Sequence, residues 1–190
     1  MVSEIEGLPP VTLTPQDLAD SFAEVVQALI DAADARQAFE TIVTLGARTV
    51  AGAEHAGITV LRRGRFDTPA ATGELPRRVD AIQYSLGSGP CVDAVLDNHV
   101  YRTGDLGSDE RWPEFGRRTV AETGVVSMLA FRLLLEDDDA LAGLNFYSTQ
   151  PHAFDESTML SGGVFATHAA IAVAAADRQE RISNLEQALA

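Results

Sequence analysis

Residues 125–148 read VVSMLAFRLLLEDDDALAGLNFYS. Two apolar runs, Val125 to Leu135 and Ala140 to Ser148, flank four acids, Glu136 to Asp139. The acidic link is polar and short, so the pattern predicts a β-hairpin. In the second run Asn145 and Tyr147 share one face and Leu144 and Phe146 the other, because strand side chains alternate. The polar pair either lines a ligand pocket or faces solvent.

Working outward, His55 to Arg63 reads as a strand that Gly64 turns into a weaker one, Phe66 to Thr72. A short helix near Leu75 to Tyr84 follows, and Gly89-Pro90 opens another. Val100 to Leu106 suggests a strand, and Trp112 to Glu122 a helix ended by Gly124. Near the N-terminus, Thr14-Pro15-Gln16-Asp17 has the residues of a helix start, with Leu18, Phe22, Val25, Val26 and Leu29 at helical spacing. A second helix is expected from Asp34 to Val50, closed by Gly52. Helices at both ends around five or so strands, joined by short turns, define an α+β fold with an antiparallel sheet.

After Asp155 the chain reads as helix to residue 190. Val164, His168, Ile171, Ala175, Arg178, Ile182, Leu185 and Leu189 alternate spacings of four and three, a coiled-coil seam. At 1.5 Å per residue this helix extends roughly 52 Å, against some 40 Å for a domain of this size, so it should overhang. The stretch Val164 to Ala176 is expected to pack on the sheet. Beyond it the seam is expected to pair with a second chain, with Ile171, Ala175, Arg178, Ile182, Leu185 and Leu189 at the dimer interface. The expected organisation is a flexible arm over 1–13, a domain over 14–176 and the start of a coiled-coil linker over 177–190. The uncapped end suggests a chain cut inside a longer helix.

The apolar fraction of 46% and charged fraction of 22% exclude disorder across the chain. Twenty-eight acids against 14 bases, all arginine, leave a net charge of −14. Nucleic-acid surfaces need clustered positive charge, and anionic lipid would repel this chain, so RNA, DNA and membranes are poor partners. The acidic N-terminus is no secretory signal, and the apolar runs are too short to span a bilayer, which points to the cytoplasm. A single cysteine, Cys91, rules out an internal disulfide and a cysteine-cluster zinc site. Histidines 55, 99, 152 and 168 are scattered without metal-ligand spacing, so no metal is expected. Gly87-Ser88-Gly89 lacks the third glycine of a dinucleotide fingerprint and is no serine-hydrolase elbow. Cys91, in the first turn of the helix begun by Pro90, reads either as a redox-sensitive thiolate favoured by the helix dipole or as a small buried apolar residue. The same helix start offers amides to an anion, with Asp93 working against it.

Gln83-Tyr84-Ser85-Leu86-Gly87-Ser88-Gly89-Pro90-Cys91-Val92-Asp93-Ala94 resembles an element of the actinobacterial GAF domains that precede ANTAR domains. The resemblance continues through Asp109 to Phe115, Gly124 to Leu129, Ala142 to Ser148 and Pro151 to Phe154, and covers roughly residues 16–189. It implies a GAF-like central antiparallel sheet with terminal helices on one side, a small-molecule pocket on the other, and a long C-terminal signalling helix. It also implies an RNA-binding antitermination output, of which this sequence carries no sign. Asn145, Phe154, Asp155 and Glu156 echo the pattern of cyclic-nucleotide GAF domains, but its lysine is missing. Val92 stands where bilin-binding relatives place a histidine, and methionine-sulfoxide reductases of this fold need several cysteines. The expectation is therefore a dimeric, non-enzymatic sensor domain of unknown cofactor, with Tyr84, Cys91, Trp112, Met128, Asn145 and Tyr147 as ligand-binding candidates. A ligand-free dimerisation or protein-docking module and a Cys91 redox sensor are the alternatives.

Overall fold

The computed structural model describes residues 23, 27, 35–97, 99–133 and 140–189. The expected arm 1–13, the expected first helix apart from its positions 23 and 27, and the acidic link 136–139 lie outside the described residues. In chain order the elements are α1 (Ala35–Thr49), β1 (His55–Arg62), β2 (Arg65–Ala71), α2 (Glu74–Leu86) and α3 (Pro90–Asp97). Then come β3 (Tyr101–Thr103), α4 (Pro113–Thr123), β4 (Ser127–Leu133), β5 (Ala140–Ser148) and α5 (Glu156–Leu189).

The five strands form one sheet in the order β2-β1-β5-β4-β3, each pair antiparallel. The two apolar runs quoted first are thus neighbours, with Leu133 opposite Ala142 and Ser127 opposite Ser148. The expected strand over Val100 to Leu106 is shorter, because after Thr103 the chain leaves the ladder. The Gly104 carbonyl accepts from the Ser127 hydroxyl (3.0 Å) and the His152 amide (2.8 Å) instead of a strand neighbour. Each sheet edge is interrupted at one point: β2 carries Pro69, and the Arg102 carbonyl on β3 is taken by Arg111 Nη2 at 2.8 Å.

Strand alternation splits the core into two layers. On one face Ile58, Leu129, Phe131, Ala142, Leu144 and Phe146 meet Phe39, Ile42 and Val43 of α1 and Phe165 and Ala169 of α5. The Phe131 and Phe146 rings pack edge to face, centroids 6.3 Å apart. The opposite face carries α2, α3 and α4. There Val79 and Ile82 of α2 and Phe115 of α4 pack with Met128, Tyr147, Leu106 and Trp112. α2 ends where Gly87 takes the left-handed conformation (φ 63°) and donates its N–H to the Gln83 carbonyl. Pro90 then opens α3, which drops onto Gly143 of the sheet.

Candidate functional site

Helical spacing brings Asp80 and Gln83 onto the buried face of α2 beside Val79 and Ile82, and both polar side chains are fully buried. From the sheet, β1 contributes Thr59, β2 Thr68, and β5 Asn145 and Tyr147. The register slips between Ile58 and Val60, where β2 supplies the extra residue around Thr68-Pro69. Such a bulge re-aims a side chain, and Thr68 turns into the core.

One hydrogen-bonded network joins these groups. The Asp80 carboxylate accepts from the Tyr147 hydroxyl at 2.6 Å and from Thr68 at 2.8 Å. The Tyr84 hydroxyl lies 2.9 Å from both Thr68 and Thr59. Thr59 also receives the Cys91 thiol (3.0 Å) and Asn145 Nδ2 (3.1 Å). Gln83 Oε1 accepts the Cys91 backbone amide at 2.8 Å. The Phe66 ring stacks on Tyr84 at the outer margin, centroids 5.1 Å apart. Asn145 Oδ1 is buried with no hydrogen-bond partner.

Burial governs the electrostatics. It raises the Asp80 pKa from 3.8 to about 6, against the hydrogen bonds from Tyr147 and Thr68 that favour its ionised form. At neutral pH the carboxyl is therefore ionised. Burial, then the Asp80 charge, pushes the Cys91 thiol and the Tyr84 and Tyr147 hydroxyls well above their ordinary ranges. The redox reading of Cys91 is corrected accordingly. A helix dipole lowers a thiol's pKa only modestly, and here desolvation outweighs it. The anion reading of the α3 start is corrected too, since the Cys91 amide is already bonded to Gln83.

Of the six candidate ligand residues, Tyr84, Cys91, Asn145 and Tyr147 meet in this network. Trp112 and Met128 lie in the apolar layer beside it. Trp112 Nε1 donates to Asp93 at 2.6 Å, and Arg111 lies over its ring. Sequence reasoning missed Asp80, Gln83, Thr59 and Thr68. The signal for two of them was available, because positions 76, 79, 80 and 83 share one helical face. An open cleft of about 510 Å³ lies elsewhere, at the β3 edge, lined by Arg102, Asp105, Asp109, Arg111, His152 and Asp155 among others. Its Asp109 is held down to about 2 by Arg111.

Along α5, Ile171, Arg178, Ile182 and Leu189 are exposed, while the side chains of Ala175 and Leu185 lie outside the described residues. His168 is half-buried, its ring 2.8 Å from the Val164 carbonyl. Among the described residues no group of three or more His, Cys, Asp or Glu could hold a metal ion. Nor is any described helix long and apolar enough to cross a membrane.

A five-stranded antiparallel sheet between a terminal-helix layer and a short-helix layer, with a buried polar cluster in the second, defines a GAF fold. The chain belongs to the GAF domain family, whose profile matches residues 17–174. A search of curated proteins finds no match. Among solved structures the chain is similar to the GAF domain of a phosphoenolpyruvate-protein phosphotransferase from Coxiella burnetii. The TM-score is 0.69 at 16% identity, covering 87% of this chain and 98% of that one. It is also similar to a domain of a putative two-component sensor histidine kinase from Sinorhizobium meliloti, with TM-score 0.60 at 14% identity over 80% and 97% of the two chains. GAF domains are signal-sensing modules, as that sensor-kinase context illustrates. A third similar structure is the free methionine-R-sulfoxide reductase of Neisseria meningitidis with its substrate, with TM-score 0.60 at 15% identity over 87% and 92%. Further reductases of this kind bring the identities to 11–19%. This corrects the expectation of a non-enzymatic chain: the same fold houses enzymes, and a flat exclusion of catalysis does not stand.

Proposed function

We propose that this chain is a dimeric sensor in which the network around Asp80 and Asn145 receives a small molecule or a partner signal. Residues 14–176 are its sensing domain, and the helix from 177 onward is a coiled-coil linker. That helix relays the change to an RNA-binding output of the ANTAR kind in an actinobacterial cytoplasm. The observation that carries the reading is the division of β5 between two layers. Asn145 and Tyr147 belong to the polar network, while Leu144 and Phe146 pack in the layer shared with α1 and α5. The Phe146 ring lies so close to α5 that a Cβ on Gly162 would meet it at 3.4 Å. A shift of β5 by a bound molecule would therefore alter α5 packing, and a bias of about 1–3 kcal/mol suffices for useful coupling. The exposed apolar side chains of Ile171, Ile182 and Leu189 support a second copy on α5. The motif run from Gln83 to Ala94 supports the narrower family placement and its RNA output. A ligand-free docking module is the second reading, favoured by how far the network's groups satisfy one another.

Native mass spectrometry of freshly purified protein, set against its denatured mass, tests this. The expected species is a dimer with a retained small molecule, and Ile182→Asp with Leu185→Asp should give monomers. A clean dimer with nothing bound favours the docking module. A double variant that remains dimeric overturns the seam.

A further inference from the structure

Asp80 is fully buried and has no ion-pair partner among the described residues. Groups face it from each element packed around it. α2 supplies Tyr84, Gln83 (Nε2 at 3.4 Å) and Arg77, whose Nη1 is held by the Thr68 carbonyl. Arg77 attracts the carboxylate, and burial outweighs that attraction. β5 supplies Tyr147, β2 Thr68, and α3 Cys91, on which Asp93 also acts. His55 stands opposite Tyr147 at the start of β1. The surroundings are tightly packed. A Cβ on Gly57 would touch the Ala70 carbonyl, Pro76 and the Tyr147 hydroxyl at 3.6 Å, one on Gly143 would stand 3.0 Å from Val95, and one on Gly89 would collide with Gln83 at 2.5 Å. A proton needs no such room. A chain of hydroxyls leads one inward. The Tyr84 hydroxyl lies at the outer margin, 3.4 Å from the carbonyl of exposed Asp67, and 2.9 Å from Thr68, which is 2.8 Å from Asp80. An ionised carboxylate brings no proton, so Thr68 donates to Asp80 and can only accept from Tyr84. Both hydroxyls therefore point inward, ready to pass a proton on.

We propose that this site takes up a proton from solvent along Tyr84 and Thr68 to Asp80, and that the domain thereby reads pH. A hydronium ion gives its proton to the Tyr84 oxygen and leaves as water. Tyr84 passes its own proton to Thr68, and Thr68 passes its own to Asp80. Each hydroxyl ends with one proton, now pointing outward, with Tyr84 turned to the Asp67 carbonyl. Asp80 ends neutral. Tyr147 then loses a charged acceptor, and charge-assisted hydrogen bonds are about twice as strong as neutral ones. Tyr147 follows Phe146 on β5, whose ring packs in the layer shared with α5. The inference rests on the coupling of β5 to α5 proposed above, and adds a proton to the signals that coupling carries.

The test follows backbone amide shifts of the full chain from about pH 4 to pH 8, a range that spans carboxyl titration. Amides of α2, β5 and the first turns of α5 should move together, with one midpoint at about 6. Asp80→Asn should abolish that midpoint, while His55 remains in the variant and its own titration is seen apart. Tyr147→Phe keeps the carboxyl but removes a bond that favours its ionised form, so the midpoint should rise by about one pH unit, a tenfold gain in proton affinity. This second variant decides the matter if Asp80→Asn fails to fold. Tyr84→Phe keeps the ring that stacks on Phe66 and breaks the hydroxyl chain. Peaks that move smoothly in wild type should then broaden or split as proton exchange slows. No common midpoint, one that survives Asp80→Asn, or one that Tyr147→Phe leaves in place overturns the proton site and leaves the sensing reading standing. Peaks that still move smoothly in Tyr84→Phe overturn the route. Shifts confined to α2 and β5, with α5 silent, overturn the coupling and the sensing reading with it.

Discussion

Asp80→Asn removes a buried carboxyl whose pKa is raised from 3.8 to about 6, chiefly by burial. Because the native pKa exceeds the unfolded one, the folded state holds this proton more tightly. The associated stability is fully present below about pH 3.8 and is lost as pH rises through about 6. A gap of about two pH units at ~1.4 kcal/mol each amounts to ~3 kcal/mol lost between about pH 4 and pH 7. The group is completely buried, so solvent screening takes nothing from this figure. Other shifted carboxyls act outside the window with the opposite sign. Asp109, held at about 2 by Arg111, contributes stability that is present above 3.8 and lost only as the solution becomes more acidic. Chemical denaturation at four pH values, on wild type and variant at one protein concentration, gives a difference curve in which all unchanged groups cancel. Asn keeps the size and one acceptor oxygen, so its own pH-independent cost shifts the curve without tilting it. Wild type should lose ~3 kcal/mol relative to the variant from pH 4 to pH 7. A flat difference, or wild type gaining with pH, refutes a carboxyl whose pKa is raised by burial.

Two further outcomes follow from the same packing. Cys91 is fully buried with its thiol held protonated, so maleimide should leave it unmodified in the native protein and label it on denaturation; rapid native labelling would restore the redox reading. Gly116→Ala should lower stability by about 3 kcal/mol, seen as a fall in Tm, since a Cβ there would sit 1.9 Å from the Leu106 carbonyl oxygen. Helix propensity alone predicts a gain of about 1 kcal/mol for that change, so an unaltered or raised Tm shows the Leu106 contact to be absent.

Local rules made much of this fold legible. Alternation along Ala140 to Ser148 divided Asn145 and Tyr147 from Leu144 and Phe146, and the structure keeps that division. Pro90 and Gly124 marked helix ends because proline and glycine act through their own backbones, whatever surrounds them. Four of the six candidate ligand residues could be named because they stand in a recognisable motif or on a two-residue period. The network itself could not be read. Its bonds span 67 residues from Asp80 to Tyr147 and 86 from Thr59 to Asn145, distances closed only by sheet register and the docking of α2. Asp80 is one of 28 acids, and nothing local distinguishes it from those that remain in water. Cys91 shows the limit most directly. Its place in a first helical turn argues for a lowered pKa, and burial beneath α2 reverses the sign. Desolvation is a property of everything packed around a group, and only the tertiary structure supplies that.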